Sequence, residues 1–320
     1  IESGNFPHLL VYGPAGSGKK TRVHCILRLL YGNAIEKVRL NTNTFVTPSK
    51  KKVEVQTISS SVHMEVNAGD AGIYDRIVVQ ELIKGIASVG QLDRAKQRDF
   101  KVVVLYGVDQ LTVDAQHALR RTMEKYVTTC RLILIAEQVS KITPATRSRC
   151  LPLRNPAPSI EQISDILMKV AKKESVPMSQ KSSLKIAQQS GRNLRRALLM
   201  AEVAKVETMG EREETLIPDW QVYAKETAAM MVDEQSAKQV MQVRERLYNM
   251  IAHCIPEEVI LGQLVDALFA LSDQTLKLQL LPLAANFDHR MHLGSKPIFH
   301  LEAFVVHFMS LHKQHMECNL

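Results

Sequence analysis

The chain has 320 residues, room for about two or three domains, and its 45% hydrophobic and 23% charged content is that of an ordinary globular protein. Lys and Arg outnumber Asp and Glu by 41 to 33, a net charge of +8 that suits a polyanionic partner, while 5% aromatic content leaves little material for stacking on bases. No apolar run approaches the roughly 18 residues of a bilayer span, and the opening residues lack the basic-then-apolar order of a signal peptide, so no membrane role is expected.

His8 to Tyr12 is a short apolar run ending at a glycine loop, and Thr21 to Tyr31 follows with apolar residues at helical spacing: strand, loop, helix. Val38 to Asn41 reads as a second strand. Val53 to Ile58 and Val62 to Val66 alternate as the arms of a hairpin do, with Lys50, Lys51 and Lys52 at its edge. After a glycine-rich turn, Arg76 to Val89 has helical periodicity. Phe100 to Leu105 and Arg131 to Ala136 are continuous apolar runs of the buried parallel kind, with the helix Asp114 to Tyr126 between them. Strands alternating with helices predict a parallel sheet covered on both faces.

Pro152, Pro156 and Pro158 end that alternation. Ser159 to Lys173, with Ser159 as N-cap two residues before Glu161, then Ser179 to Ser190 and Asn193 to Val206 read as three amphipathic helices. The polar stretch Glu207 to Asp219, with Gly210 and Pro218, reads as a linker. Beyond it, Ala237 to His253, Pro256 to Asp273, Gln274 to Asn286 and Pro297 to Met316 form a second helical unit. The five cysteines form no CxxC pair and read as small buried hydrophobes.

The loop Gly13-Pro14-Ala15-Gly16-Ser17-Gly18-Lys19 carries the first chemistry. A Gly-x-x-x-x-Gly-Lys run between strand and helix turns successive N–H groups toward one point, where the helix N-terminus adds positive charge, and that point binds phosphate. ATP or ADP is the expected ligand, held by residues Gly13 through Thr21, with Lys19 reaching the β- and γ-phosphates. The next residue is usually Ser or Thr, whose hydroxyl completes Mg²⁺ coordination. Lys20 cannot do that, and Thr21 lies about 100° further round the helix, which leaves Mg²⁺ at this site in question.

Together, PHLLVYGPAGSGKKTR, AQHALRRTMEKY, RLILI, the triplet Ser148-Arg149-Cys150 and GRNLRRAL resemble the small subunits of replication factor C, the eukaryotic AAA+ sliding-clamp loader. GKKTR and TPSKKK resemble the third-subunit type, and the likeness runs to the C-terminal GSKPIFHLEAFVVHFM. The resemblance implies an α/β fold: an AAA+ Rossmann-like domain with a phosphate loop over 1–153, a helical lid over 154–206, and a linker with an all-helical collar over 207–320. The segment that precedes the first strand in the family is missing, so the chain reads as truncated at its start. Implied partners are the other replication factor C subunits of a heteropentamer, the PCNA sliding clamp and primer-template DNA, in the nucleus, for DNA replication and repair. The apolar face Leu301, Phe304, Val305 and Phe308 is expected to join neighbouring subunits in the collar.

Hydrolysing members of the family end the strand matching Val102 to Leu105 with an Asp-Glu pair. Tyr106 and Gly107 hold those places, so the catalytic base and the magnesium acid are missing. Asp109 matches the last Asp of the family box and reads as a loop contact. Glu137 stands where an Asn senses the γ-phosphate, and a carboxylate there repels that phosphate unless a cation intervenes. Arg195 matches the lid's phosphate-sensing arginine. Arg149 matches the arginine finger that acts in trans on a neighbour's ATP; the competing reading pairs it with a carboxylate of its own domain. Lys141, with Arg76 and Lys84, matches basic positions that face the central duplex. The resulting expectation is a subunit that binds nucleotide without hydrolysing it and donates Arg149; a DNA-dependent ATPase using Asp109 or Glu137 is the alternative.

Overall fold

The continuous apolar runs of the sequence become the middle of a sheet. The computed structural model describes residues 6–46, 52–88, 100–176, 178–208, 217–294 and 296–319, and the chain divides into the units Ile1–Glu214 and Thr215–Leu320. The first unit runs β1 (His8–Tyr12), α1 (Lys19–Tyr31), β2 (Arg39–Val46), β3 (Lys52–Ser59), β4 (His63–Asn67), α2 (Asp75–Ser88), β5 (Lys101–Tyr106) and α3 (Val113–Lys125). It continues with β6 (Cys130–Ala136), α4 (Pro144–Arg147), β7 (Cys150–Arg154), α5 (Ile160–Lys173), α6 (Gln180–Gln189) and α7 (Leu194–Thr208).

The seven strands form one sheet in the order β2-β3-β4-β5-β6-β1-β7. From β4 to β7 every pairing is parallel, whereas β3 pairs antiparallel with both β2 and β4. The expected parallel sheet is thus extended at one edge by antiparallel strands. Only residues 60–62 connect β3 to β4, too few for the crossover that a parallel neighbour requires. The expected hairpin is this pair. The strand expected over Val38 to Asn41 runs on to Val46 and pairs with β3 along its length. Lys50 and Lys51 lie outside the described residues.

Period-two alternation sorts the central strands between two cores. Leu10, Val103, Leu105, Leu132 and Leu134 pack with Val78, Leu82 and Ile83 of α2 and Leu119 and Met123 of α3. Leu9, Val11, Val102, Val104, Ile133 and Ile135 pack on the opposite face with Val23 and Leu27 of α1. Helices thus cover both faces.

Two buried polar side chains fix α2 and α3 to the sheet end. Asp75 accepts from the Thr112 backbone N–H at 2.7 Å and from its hydroxyl at 3.1 Å, while that hydroxyl accepts from Ala115 N and caps α3. Gln116 donates to the carbonyls of Leu111 and Lys141 and accepts from Thr143 N. Beyond β7, α5 starts from a full capping box whose second member is Gln162.

The second unit is α8 (Asp219–Asp233), α9 (Ala237–Ala252), α10 (Glu257–Leu271), α11 (Gln274–Leu293) and α12 (Pro297–Asn319). The sequence reading missed α8 and began the unit one helix late. Its buried stripe is Gln221, Ala224, Ala228 and Met231, correctly spaced but poor in large aliphatics. The linker expectation fails at both ends, since α7 extends to Thr208 and α8 starts at Asp219; 209–216 lie outside the described residues. The third predicted helix of this unit, ended at Asn286, continues past the exposed Pro282 to Leu293.

Leu301, Phe304, Val305 and Phe308 are at most 1% exposed, packed inside this unit's own core with Leu247, Leu264, Leu280 and Phe287. They are not a face for other subunits, because the four helices that cover them belong to the same unit. The cysteine expectation divides. Cys130 and Cys150 are buried, with thiols pushed up to about 12 by desolvation, whereas Cys25 and Cys254 are exposed. Among the described residues no helix is long and apolar enough to cross a membrane.

Removing the ring of Phe308 should leave a cavity lined by α12 and its neighbours, since 0% of the residue is exposed. Phe308→Ala is expected to cost about 3–5 kcal/mol, read as a lowered urea midpoint of the full chain at unchanged m-value.

Candidate functional site

Strand register brings the sequence's scattered candidates to one rim. Tyr12 stands level with Ala136 of β6 and Arg154 of β7, and Leu105 with Leu134. The residues that follow these strand ends, Gly13, Tyr106, Glu137 and Asn155, therefore meet at the carboxyl edge of the parallel strands, where ligands of open α/β sheets bind.

The phosphate loop wraps around its own lysine. Lys19, 8% exposed, donates from Nζ to the carbonyls of Gly13 at 2.8 Å and Pro14 at 2.9 Å. Its ammonium also lies 3.5 Å from Oε1 of Glu137. Glu137 is half-exposed and is held by its own loop: its N–H and that of Gln138 both donate to Oδ2 of Asp109, at 3.2 and 3.1 Å. Asp109 is thus the loop contact that the sequence suggested.

Two asparagines that sequence reasoning missed clamp the loop. Buried Asn155 donates from its backbone N–H to Tyr12 O at 2.7 Å and from Nδ2 to Ser17 O at 2.9 Å. Asn193, just before α7, covers Gly16, whose φ is +68° and where an added Cβ would sit 1.7 Å from Asn193 Oδ1. Glycine at 16 is thus required twice, by conformation and by space. The only sequence signal for Asn155 was its place directly after an apolar strand and before Pro156.

The position after Lys19 is chemically inverted. Lys20 is exposed and carries its ammonium 4.7 Å from the centroid of the Tyr106 ring. Tyr106 donates its hydroxyl to Oε2 of Glu65 at 3.0 Å. Glu65, 3% exposed, lies in β4 with His24 Nε2 at 3.2 Å and His63 Nε2 at 3.4 Å from Oε1, the latter contacts without hydrogen-bond geometry. Burial alone would raise the Glu65 pKa and is the largest single influence, but its contacts with His63, Tyr106 and His24 outweigh it and hold the carboxyl below its ordinary value. Burial and Glu65 together push the Tyr106 phenol far up, so it stays protonated. An ammonium and a neutral phenol at the two positions that normally hold Mg²⁺ do not fit that ion.

Arg149 follows α4 and is held within its own domain. Nε donates to Glu124 Oε1 at 2.7 Å and Nη1 to Ala145 O at 2.7 Å, and the fork holds the Glu124 carboxyl below its ordinary range. This is the carboxylate contact that the competing reading named. Nη2 lies 2.5 Å from the same Glu124 Oε1 and Nη1 3.4 Å from Ser148 Oγ, so the whole guanidinium is turned to its own domain.

A model described as replication factor C subunit 3, C-terminal domain, matches residues 220–316, and one described as an RCF1/5-like AAA+ ATPase lid domain matches 165–206. Replication factor C subunit 3 of Mus musculus is 52% identical over 100% of this chain and 90% of its own length. The chain belongs to the replication factor C family. The Homo sapiens subunit 3 is likewise 52% identical with the same coverage, and that of Arabidopsis thaliana is 44% identical over 98% of this chain and 90% of its own. Replication factor C subunits are clamp-loader components with an AAA+ fold, and AAA+ membership carries nucleotide binding with it.

In this replication factor C subunit the remaining candidates lie apart from the phosphate loop's own contacts. Arg195 is exposed on the first turn of α7, two residues from Asn193. Lys141 is exposed at the end of a short turn whose carbonyl Gln116 holds. Arg76 and Lys84 are exposed on α2, the latter 3.8 Å from Glu81.

Glu65 makes stability depend on pH. With its folded-state pKa depressed, its contribution is complete above the unfolded value of about 4.3 and is lost as pH falls through the lower folded value. Glu65→Gln should therefore flatten the acid limb of a stability-against-pH curve below about pH 4, measured by urea unfolding across that range.

Proposed function

We propose that this subunit holds ATP or ADP without hydrolysing it and lends Arg149 to the active site of a neighbouring subunit. The assembly is a heteropentamer with other replication factor C subunits, which opens the PCNA ring and sets it on primer-template DNA in the nucleus. The observation that carries the reading is the makeup of the rim. The loop and Lys19 can cradle phosphate, while each acidic group near it is already engaged: Asp109 by two backbone N–H groups, Glu137 by Lys19, Glu65 by Tyr106. A general base must be positioned to take a proton from the attacking water, and these contacts hold Asp109 to the Glu137 turn and Glu137 to the loop lysine instead. The same observations weigh against an ATPase using Asp109 or Glu137.

Residues 154–206 act as the lid, presenting Arg195 toward the phosphates, and 207–320 as linker and collar. Arg149 is held by Glu124 and the Ala145 carbonyl, and on assembly it exchanges part of its pairing with the exposed Glu124 for a neighbour's γ-phosphate. Lys141, with Arg76 and Lys84, meets the phosphate backbone of the duplex.

Arg149→Ala, tested in the assembled heteropentamer, should slow hydrolysis at the neighbouring site by about 10³-fold or more, with nucleotide binding by this chain preserved. Arg149→Lys should restore little, since a point charge does not replace the fork. A lowered melting temperature of the chain with normal turnover of the assembly would show that Arg149 serves only its pair with Glu124. Lys141→Ala should weaken DNA binding for all sequences and reduce the log–log salt slope by about one, measured by fluorescence anisotropy over a salt series.

A further inference from the structure

We infer that Lys20 takes the place of magnesium: the site binds the phosphates of its nucleotide with a built-in ammonium as counter-ion and no divalent cation. This rests on the reading above that the rim holds a nucleotide. Magnesium demands near-octahedral oxygen ligands. In a phosphate-loop site the protein supplies them from the hydroxyl after the loop lysine and from an acid at the end of a neighbouring strand. Here those two positions are Lys20 and Tyr106, and they have not merely lost oxygen ligands. They form a pair with each other, the ammonium 4.7 Å from the ring centroid, the arrangement in which an aromatic face attracts a cation.

The ring cannot swing aside to make room for an ion. Its hydroxyl is tied at 3.0 Å to Glu65, which is 3% exposed and flanked by His24 and His63. Tyr106 thus holds the ammonium of an exposed lysine beside the loop, from where its three N–H donors can turn to phosphate oxygens.

The charge balance of the rim asks for such a cation. Glu137 stands 3.5 Å from Lys19 and offsets much of the positive charge that the loop lysine would offer. A nucleotide's phosphates then need counter-charge beyond what Lys19 and the lid's Arg195 offer, and Lys20 is a cation already at the rim. A divalent ion in the same place would meet a like charge, and the nearby Asp109 already accepts the Glu137 and Gln138 N–H groups on Oδ2.

The test is equilibrium titration of the full chain with fluorescent N-methylanthraniloyl ADP and ATP, in excess magnesium chloride and in excess EDTA. Wild-type affinity should agree within about twofold between the two conditions, and Lys20→Thr should weaken EDTA-condition binding by about tenfold or more. Lys20→Arg should retain it. Lys20 is exposed, so the variants should fold, and a circular-dichroism melt verifies this. A wild-type affinity that falls about tenfold in EDTA, or a Lys20→Thr variant that binds as well as wild type without metal, overturns the proposal while leaving nucleotide holding intact. Failure of the wild type to bind in either condition overturns the nucleotide-holding reading, and this proposal with it.

Discussion

One buried ammonium organises the carboxyl rim of the sheet. Lys19 is drawn inward by the carbonyls of Gly13 and Pro14 and balanced by Glu137. A lysine at 8% exposure is tolerable only with such partners, since an unpaired buried charge is expensive. The parallel register of β1, β6 and β7 brings those partners within reach, because it sets the ends of three strands level. Asn155 then locks the loop from the far side by bonding both Tyr12 and Ser17. A shift of one residue in any of these strands would turn its inward side chains to the other core and dismantle the rim.

Around that centre, the charged and polar groups of the rim are paired rather than scattered. Lys20 and Tyr106 replace a hydroxyl and an acid, and they contact each other. Glu137 replaces a neutral sensor, and it meets the one cation that makes a carboxylate tolerable there. Asp109 keeps its charge but spends it on the backbone of the Glu137 turn. Lys20 and Tyr106 thus partner each other, and Glu137 partners the loop lysine. Arg149 stands apart from this group, linked to α3 through Glu124.

Much of the architecture was legible as periodicity. The runs that became β5 and β6 are apolar at every central position because both faces of the sheet are covered, and the alternation of strand and helix announced the covering helices. The short connection over 60–62 made β3 and β4 legible as a hairpin, but periodicity could not show that β2 runs on to Val46 and pairs antiparallel with β3. It also missed α8, whose buried stripe is built from alanine and carries little hydrophobic contrast. The face containing Leu301 and Phe308 was legible as apolar but not as to what it meets.

The sequence by itself determined which chemical groups are available: a phosphate loop, a lysine after it, Tyr106-Gly107 in place of an Asp-Glu pair, and an arginine in Ser-Arg-Cys. Spacing along the chain is enough for such statements, because they depend on residue types and on the local turn from strand to helix. The tertiary structure alone decided which groups neutralise which. Lys19 and Glu137 are more than a hundred positions apart, as are Tyr12 and Asn155, and Glu65 and Tyr106 come from strands separated by a helix. Electrostatic and hydrogen-bonding energies depend on distance in space, and only the ordering of strands in the sheet converts positions in the chain into those distances.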